Sequence, residues 1–293
     1  MSRHLTSTAL ALALLLTAGS AVANPWTRDQ GSGYVNVSYQ RIAAGSFFGP
    51  KGDKVTFNGT SFTQQTLNLY AEVGIIDRWL TATLESTVFR HGKLDNQGAT
   101  QGLGDLRLGF WSGLLRRGSL RVSAGVLVGL PTGDDEPSVE GDPQANIIAR
   151  SLPTGDGEVD LEARVGLGYS FGGPQSAWPL RHYVRAEVGY WLRTKGFFDA
   201  FNYLFEVGLQ APWAVVDRFW VIERFFGSES FAGDEAPAGF AGLGNGVTYT
   251  SYGLELHGRI WRGLGASASF AGAFRARNVA AGAQLKFALD YQF

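Results

Sequence analysis

Cysteine is absent from all 293 residues. That excludes disulfides, thiolate metal sites and a cysteine nucleophile, and it suits an exported protein that needs no cross-links. A charge excess is absent as well: 25 lysines and arginines face 26 aspartates and glutamates, for a formal net charge of −1. Nucleic-acid binders carry a basic excess, so no nucleic acid is expected as a partner. Long apolar runs are missing too. Beyond the N-terminal segment no stretch approaches the roughly 20 residues of a membrane-spanning helix, and mean hydropathy is −0.03. Nor does a histidine stand two positions before a serine, the pairing by which some membrane hydrolases activate a hydroxyl. His91, His182 and His257 are followed by Gly-Lys, Tyr-Val and Gly-Arg. The expectation is a non-enzyme, with no cofactor and no metal implied.

What is present begins with an address. Arg3 and His4 precede an apolar stretch from Ala9 to Leu16, and Ala21-Val22-Ala23 forms an A-x-A cleavage site. This pattern predicts a signal peptide over 1–23, with an N-terminal membrane anchor as the alternative, and one domain over 24–293. Forty glycines, 20 phenylalanines, 10 tyrosines and 8 tryptophans suit curved strands with interfacial aromatic girdles. A membrane protein of average hydropathy is what a β-barrel gives, because only every second residue faces lipid.

From Gly33 onward, apolar and polar residues alternate in segments of about ten. Twelve strands are expected: Tyr34–Ile42, Thr66–Ile75, one from Leu80 to about Val88, Gly104–Gly113, Ser119–Leu130 and Glu158–Phe171. The others are His182–Arg193, Tyr203–Ala211, Phe219–Phe226, Ser251–Ile260, Leu264–Phe274 and Val279 to the end. The ninth is the weakest, because Glu223 and Arg224 put charge on both faces, and counts of ten or fourteen stay open. Connections after even strands are mostly short, such as Asp77-Arg78 and Trp261 to Gly263. Those after odd strands are mostly long, such as Ala44 to Thr63, His91 to Gly102, Pro131 to Gly157 and Gly227 to Thr248. The fold class is therefore an all-β, antiparallel up-and-down transmembrane barrel with short periplasmic turns and long extracellular loops. A soluble lipocalin-like barrel is the competing architecture.

The C-terminus is the most specific local signal. Leu285, Phe287, Leu289, Tyr291 and Phe293 alternate with Lys286, Ala288, Asp290 and Gln292. This resembles the terminal recognition strand of outer-membrane proteins. It predicts localisation to the outer membrane, with the barrel assembly machinery reading Phe287, Leu289, Tyr291 and Phe293. Outer-membrane lipid and lipopolysaccharide are the expected surroundings.

Three stretches carry a family resemblance: GLGDLRLGFWSGLL (Gly102 to Leu115), VGLPTGDDEP (Val128 to Pro137) and SLPTGDGEVDLEARVGLGYSF (Ser151 to Phe171). They resemble the family labelled "MetA-pathway of phenol degradation", barrels akin to the long-chain fatty-acid channel group. The resemblance implies an outer-membrane pore or a transporter of hydrophobic compounds.

The inward faces carry Glu72, Glu85, Arg107, Arg121, Glu162, Arg164, Arg185, Glu187, Glu206, Glu255, His257 and Arg259. Away from water these charges must pair, either as a constriction that selects solutes or as a lattice that plugs a narrow lumen. Phe47, Phe48 and Phe57 in the first loop, with Phe197, Phe198 and Phe201 in the fourth, form a candidate extracellular pocket or a lipopolysaccharide contact. The acidic loop containing Asp134, Asp135, Glu136, Glu140, Asp142 and Asp156 has no calcium-ligand spacing and reads as turn chemistry. Trp79, Trp191, Trp213, Trp220 and Trp261, near strand ends, read as girdle anchors. Three functions fit: passive uptake of small hydrophobic or aromatic compounds, a hydrophilic diffusion channel, and a closed structural barrel whose loops bind a partner.

Overall fold

A computed structural model describes residues 25–57, 60–140, 150–173, 180–211, 218–232 and 245–293. The expected signal peptide, Asp142 and Trp213 lie outside the described residues. Twelve long strands succeed one another: β1 (Gly33–Ala44), β2 (Phe62–Ile76), β3 (Leu80–Leu94), β4 (Leu106–Arg117), β5 (Leu120–Leu130) and β6 (Asp160–Gly172). The second half comprises β7 (Arg181–Leu192), β8 (Ala200–Gln210), β9 (Phe219–Ser230), β10 (Thr248–Trp261), β11 (Leu264–Arg277) and β12 (Ala283–Gln292). Each pairs antiparallel with the next, and β12 returns to β1 in a ladder from Tyr34↔Gln292 to Ala43↔Ala283. The sheet is thus closed and has no edge, the condition under which strands can cross a bilayer.

Period-two alternation sorts the side chains. Phe110, Val165, Val188, Phe205, Leu256 and Leu289 stand exposed on the outer wall, a continuous apolar belt that only lipid can cover. Trp79 and Trp261 are 63% and 65% exposed and anchor its periplasmic edge. Inside, large side chains fit because neighbouring strands offer glycine. Trp111 of β4 is fully buried against Gly125 of β5, where a Cβ would lie 2.7 Å from the indole Cε2.

Several expected boundaries are corrected. β3 and β9 continue to Leu94 and Ser230, and Gly98–Gly102 folds back onto β3, so the loops after them are shorter than expected. The twelfth strand starts at Ala283, not Val279. Asn278 has φ of 56° and turns the chain, and Val279–Ala280 pair instead with Ser46–Phe48, which pairs in turn with Lys54–Thr56. These rim segments bury a small apolar core of Phe57, Phe62, Leu94, Val139 and Leu152, with Phe47 packed on it. The two Leu-Pro-Thr-Gly-Asp segments meet around Asp105, whose carboxylate accepts the backbone N–H of Gly133 at 3.0 Å and of Asp156 at 2.8 Å. Thr154 and Asp134 bond each other in both directions, at 3.0 and 2.8 Å. Within the acidic loop, Asp134 and Asp156 spend their carboxylates on backbone N–H groups two residues on, those of Glu136 and Glu158.

The segment before β1 enters the barrel. Ser32 and Gly31 bond Gly74 at the end of β2. Arg28 N–H donates to Thr81 Oγ1 at 2.8 Å, and the Arg28 carbonyl accepts Arg78 N–H at 2.9 Å. Pro25 and Trp26 then lie on Gly168 of β6, where a Cβ would come within 2.7 Å of both. Trp26 meets Tyr183 of β7 edge-on at 5.7 Å. Residues 25–32 therefore strap the lumen from β2 to the opposite wall, near its periplasmic end.

Candidate functional site

The lumen is the site. A cavity of about 640 Å³ lies inside the barrel. Its charged wall comes from consecutive strands whose inward positions fall beside one another. Arg107 of β4 bonds Asp160 at 2.8 Å and Glu162 at 3.1 Å on β6. Arg164 also grips Glu162, at 2.7 Å, and Asn202 of β8 donates a further bond to it. Arg185 of β7 lies 3.1 Å from Glu187. Arg224 of β9 is held between Glu206 of β8 and Glu255 of β10, the latter at 2.6 Å. Glu162 and Glu206 have no and 2% side-chain exposure, so breaking any of these pairs would strand a carboxylate away from bulk water.

Of the expected lattice residues, Glu162, Arg164, Arg107, Arg185, Glu187, Glu206 and Glu255 are brought together. Glu85 faces Arg107 across the β3–β4 ladder and lines the cavity, with no ion pair among the described residues. Glu72 lies lower, bound by the guanidinium of Arg28 in the strap and by the Tyr70 hydroxyl at 3.1 Å. Arg121 lies at the periplasmic turn and donates to the carbonyls of Gly118 and Leu120. Arg259 sits at the periplasmic end of β10, its N–H on the Arg218 carbonyl. His257 is buried with Nε2 3.0 Å from Asp290. Ser267 lies opposite it in register, and among the described residues His257 Nδ1 makes no hydrogen bond.

Arg28, Asp160, Arg224 and Asp290 are among the lattice members that sequence reasoning missed, as are Glu158 and Arg193 at the extracellular end. Arg224 was legible, because of the two adjacent charges Glu223 and Arg224 only one can point inward on a strand. Glu223 is left on the outer wall beside Val207 and Leu254.

At the extracellular end, Trp191 points inward, not into the girdle. The guanidinium of Arg107 lies 4.8 Å and that of Arg193 4.3 Å from its ring centroid. Arg193 also bonds Asp156 at 2.8 Å and binds Glu158. Burial pushes the Glu158 carboxyl up to about 6 against the opposing pull of Arg193. Trp220 also turns inward, buried against Tyr183 at 5.8 Å. Phe226 and Tyr249 meet edge-to-face at 6.3 Å on the cavity wall.

The six loop phenylalanines do not share one pocket. Phe47 and Phe57 stack on each other at 5.5 Å within the rim core, and Phe48 pairs with Val279. Phe197 covers Arg193, Phe198 lines the cavity, and Phe201 stands on the outer wall opposite Tyr190. The terminal residues Phe287, Leu289, Tyr291 and Phe293 all face outward, and the Phe293 backbone closes the barrel by two bonds with Gly33 at 3.0 and 3.1 Å.

No family model and no curated protein match the chain. Among solved structures it is similar to an outer membrane channel from Pseudomonas putida F1, with TM-score 0.62 and 12% identity over 94% of this chain and 100% of that one. It is also similar to the beta domain of the Bordetella autotransporter BrkA, with TM-score 0.50 and 13% identity over 90% of this chain and 100% of that one. At these identities the likeness is one of fold. The closed barrel and its apolar belt make this an outer-membrane β-barrel protein.

Proposed function

We propose that the protein is an outer-membrane channel for passive uptake of small hydrophobic and aromatic compounds, closed at rest by its own N-terminal strap. The observation that carries this reading is the lumen cavity of about 640 Å³. That volume lies inside the roughly 300–1,000 Å³ range of small-molecule sites. Tyr34, Tyr70, Trp191, Phe226 and Tyr249 line it, giving a solute aromatic surface beside a charged wall whose arginines are already engaged. The family resemblance of the Gly102–Phe171 region points the same way. Recognition of the last strand by the assembly machinery is part of the same proposal.

The test is a titration of refolded protein in detergent with a neutral aromatic, benzyl alcohol, followed by tryptophan fluorescence. Saturable quenching that disappears in Trp191→Phe is expected. Quenching that never saturates, or that survives the substitution unchanged, refutes the reading. The dense lattice favours a second reading, a hydrophilic diffusion channel; steady large openings of the wild-type protein in a planar bilayer select it.

A further inference from the structure

Among the described residues six cations line the cavity, and five are committed. Arg107, Arg164, Arg185, Arg193 and Arg224 each hold an acid within 3.1 Å. Lys286 of β12 lines the same cavity and, among the described residues, makes neither an ion pair nor a side-chain hydrogen bond. Its neighbours in register are Ser269 of β11 and Gln40 of β1, and the next inward residue on its own strand is Gln284. All three are neutral. Glu255, opposite Ser269 on β10, is held by Arg224. A partly buried ammonium group with no counter-ion is costly, and a ligand that supplies the charge relieves that cost.

We propose, building on the channel reading above, that the lumen selects amphipathic monoanions, with aromatic carboxylates the simplest, and that Lys286 receives the carboxylate. The apolar body of the ligand then lies toward Phe226 and Tyr249. The arginines do not compete for it, because each would have to leave a buried glutamate or aspartate. Lysine suits the role: its ammonium is a compact charge on a flexible stem, with three donors and no preset fork to satisfy. The limit of one negative charge follows from the rest of the wall. Glu85 lines the cavity with no ion pair among the described residues, so a second carboxylate on the ligand meets repulsion, and the described lining offers it no second cation that is not already paired.

The test compares four ligands of similar size on the refolded protein: benzoate, benzyl alcohol, benzylamine and phthalate, by fluorescence titration and calorimetry. Benzoate is expected to bind at least tenfold more tightly than the other three. In Lys286→Met and in the more polar Lys286→Gln, benzoate should fall to the level of benzyl alcohol. Benzyl alcohol binding should hold in both variants, which also reports that their lumens are intact. Benzyl alcohol or benzylamine matching benzoate in the wild type overturns the proposal, as does undiminished benzoate binding in both variants. The channel reading survives either result as long as benzyl alcohol still binds. If no ligand binds at all, both readings fall.

Discussion

Arg28→Ala should open the channel. The guanidinium of Arg28 is bound to Glu72, whose side chain has no exposure. Once Arg28 is truncated, the strap can stay in place only over a buried carboxylate whose remaining side-chain partner among the described residues is the Tyr70 hydroxyl, at 3.1 Å. Breaking a buried pair by removing one member costs about 3–5 kcal/mol. That penalty falls on the closed state. When the strap swings out, water reaches Glu72 and the carboxylate is solvated again. At about 1.4 kcal/mol per factor of ten, the closed-to-open ratio should drop by roughly two to three and a half powers of ten.

The assay is single-channel recording of refolded protein in a planar bilayer, reading the fraction of time open. Two further variants check the origin of the effect. Adding Glu72→Gln to Arg28→Ala removes the stranded charge and should restore most of the closure. Trp26→Phe keeps an apolar ring on Gly168 and loses only part of the edge-on contact with Tyr183, itself worth about 0.5–1.5 kcal/mol, and should shift the ratio by no more than about tenfold. A folded Arg28→Ala protein that stays as silent as wild type would refute the reasoning, because the strap would then not be what closes the lumen.

Other substitutions read other parts of the structure. The Glu158 carboxyl, raised to about 6 from an ordinary 4.5, binds its proton more tightly when folded. Its contribution to stability is therefore full below pH 4.5 and lost as pH rises through 6. Thermal unfolding from pH 4 to 7 should show a fall in wild-type stability that is smaller in Glu158→Gln; equal falls would remove Glu158 as the source. Trp111→Ala empties a fully buried site and should cost about 3–5 kcal/mol in urea unfolding in vesicles, a result of under 1 kcal/mol showing that the lumen collapses around it. Glu223→Leu, on the lipid face between Val207 and Leu254, should stabilise the barrel by up to about 2 kcal/mol in the same assay. Destabilisation there would mean that the carboxylate has a partner within the membrane.

The strands were legible because lipid and lumen impose opposite demands at every second residue, and the chain obeys both over nearly every strand. Ambiguity arose where that rule is broken. At Glu223-Arg224 the sequence shows two charges and no sign of which one faces lipid; closure decides it, since Arg224 has an acid waiting on each side, at Glu206 and Glu255. The rim was misjudged for another reason. Loops rich in Gly, Pro and Asp look unstructured, and pairing between segments as distant as Phe48 and Val279 leaves no periodic trace. Trp191 and Trp220 illustrate the limit of reading by residue type: position near a strand end suggested a girdle, whereas strand parity turns both inward.

The strap was invisible for a deeper reason, and it explains how a lumen so crowded with charge keeps any cavity. Residues 25–32 carry no alternation, so nothing local marks them as part of the fold. They are legible only from what they complete. The inward charges on β4 and on β6 to β10 are nearly self-sufficient, each arginine bonded to an acid on its own strand or within two strands of it, whereas Glu72 on β2 faces Tyr34 of β1 and Thr83 of β3. The chain supplies its arginine from outside the sheet, and in doing so lays a backbone across the lumen over Gly168. On the wall formed by β11, β12 and β1, the inward residues are mostly small or neutral: Ser267, Ser269, Gln284, Asn36 and Ser38. Space is therefore left on that side, and the cavity opens where the lattice stops. Two charges interrupt that wall: Asp290, bonded to His257, and Lys286, which has no ion pair among the described residues. Removing the Lys286 charge should cost the barrel little, because no partner is orphaned, whereas removing Arg28 orphans Glu72. Urea midpoints in vesicles should then rank Lys286→Met near wild type and Arg28→Ala well below it, and the reverse order would contradict this division of the lumen into a self-paired wall and a receptive one.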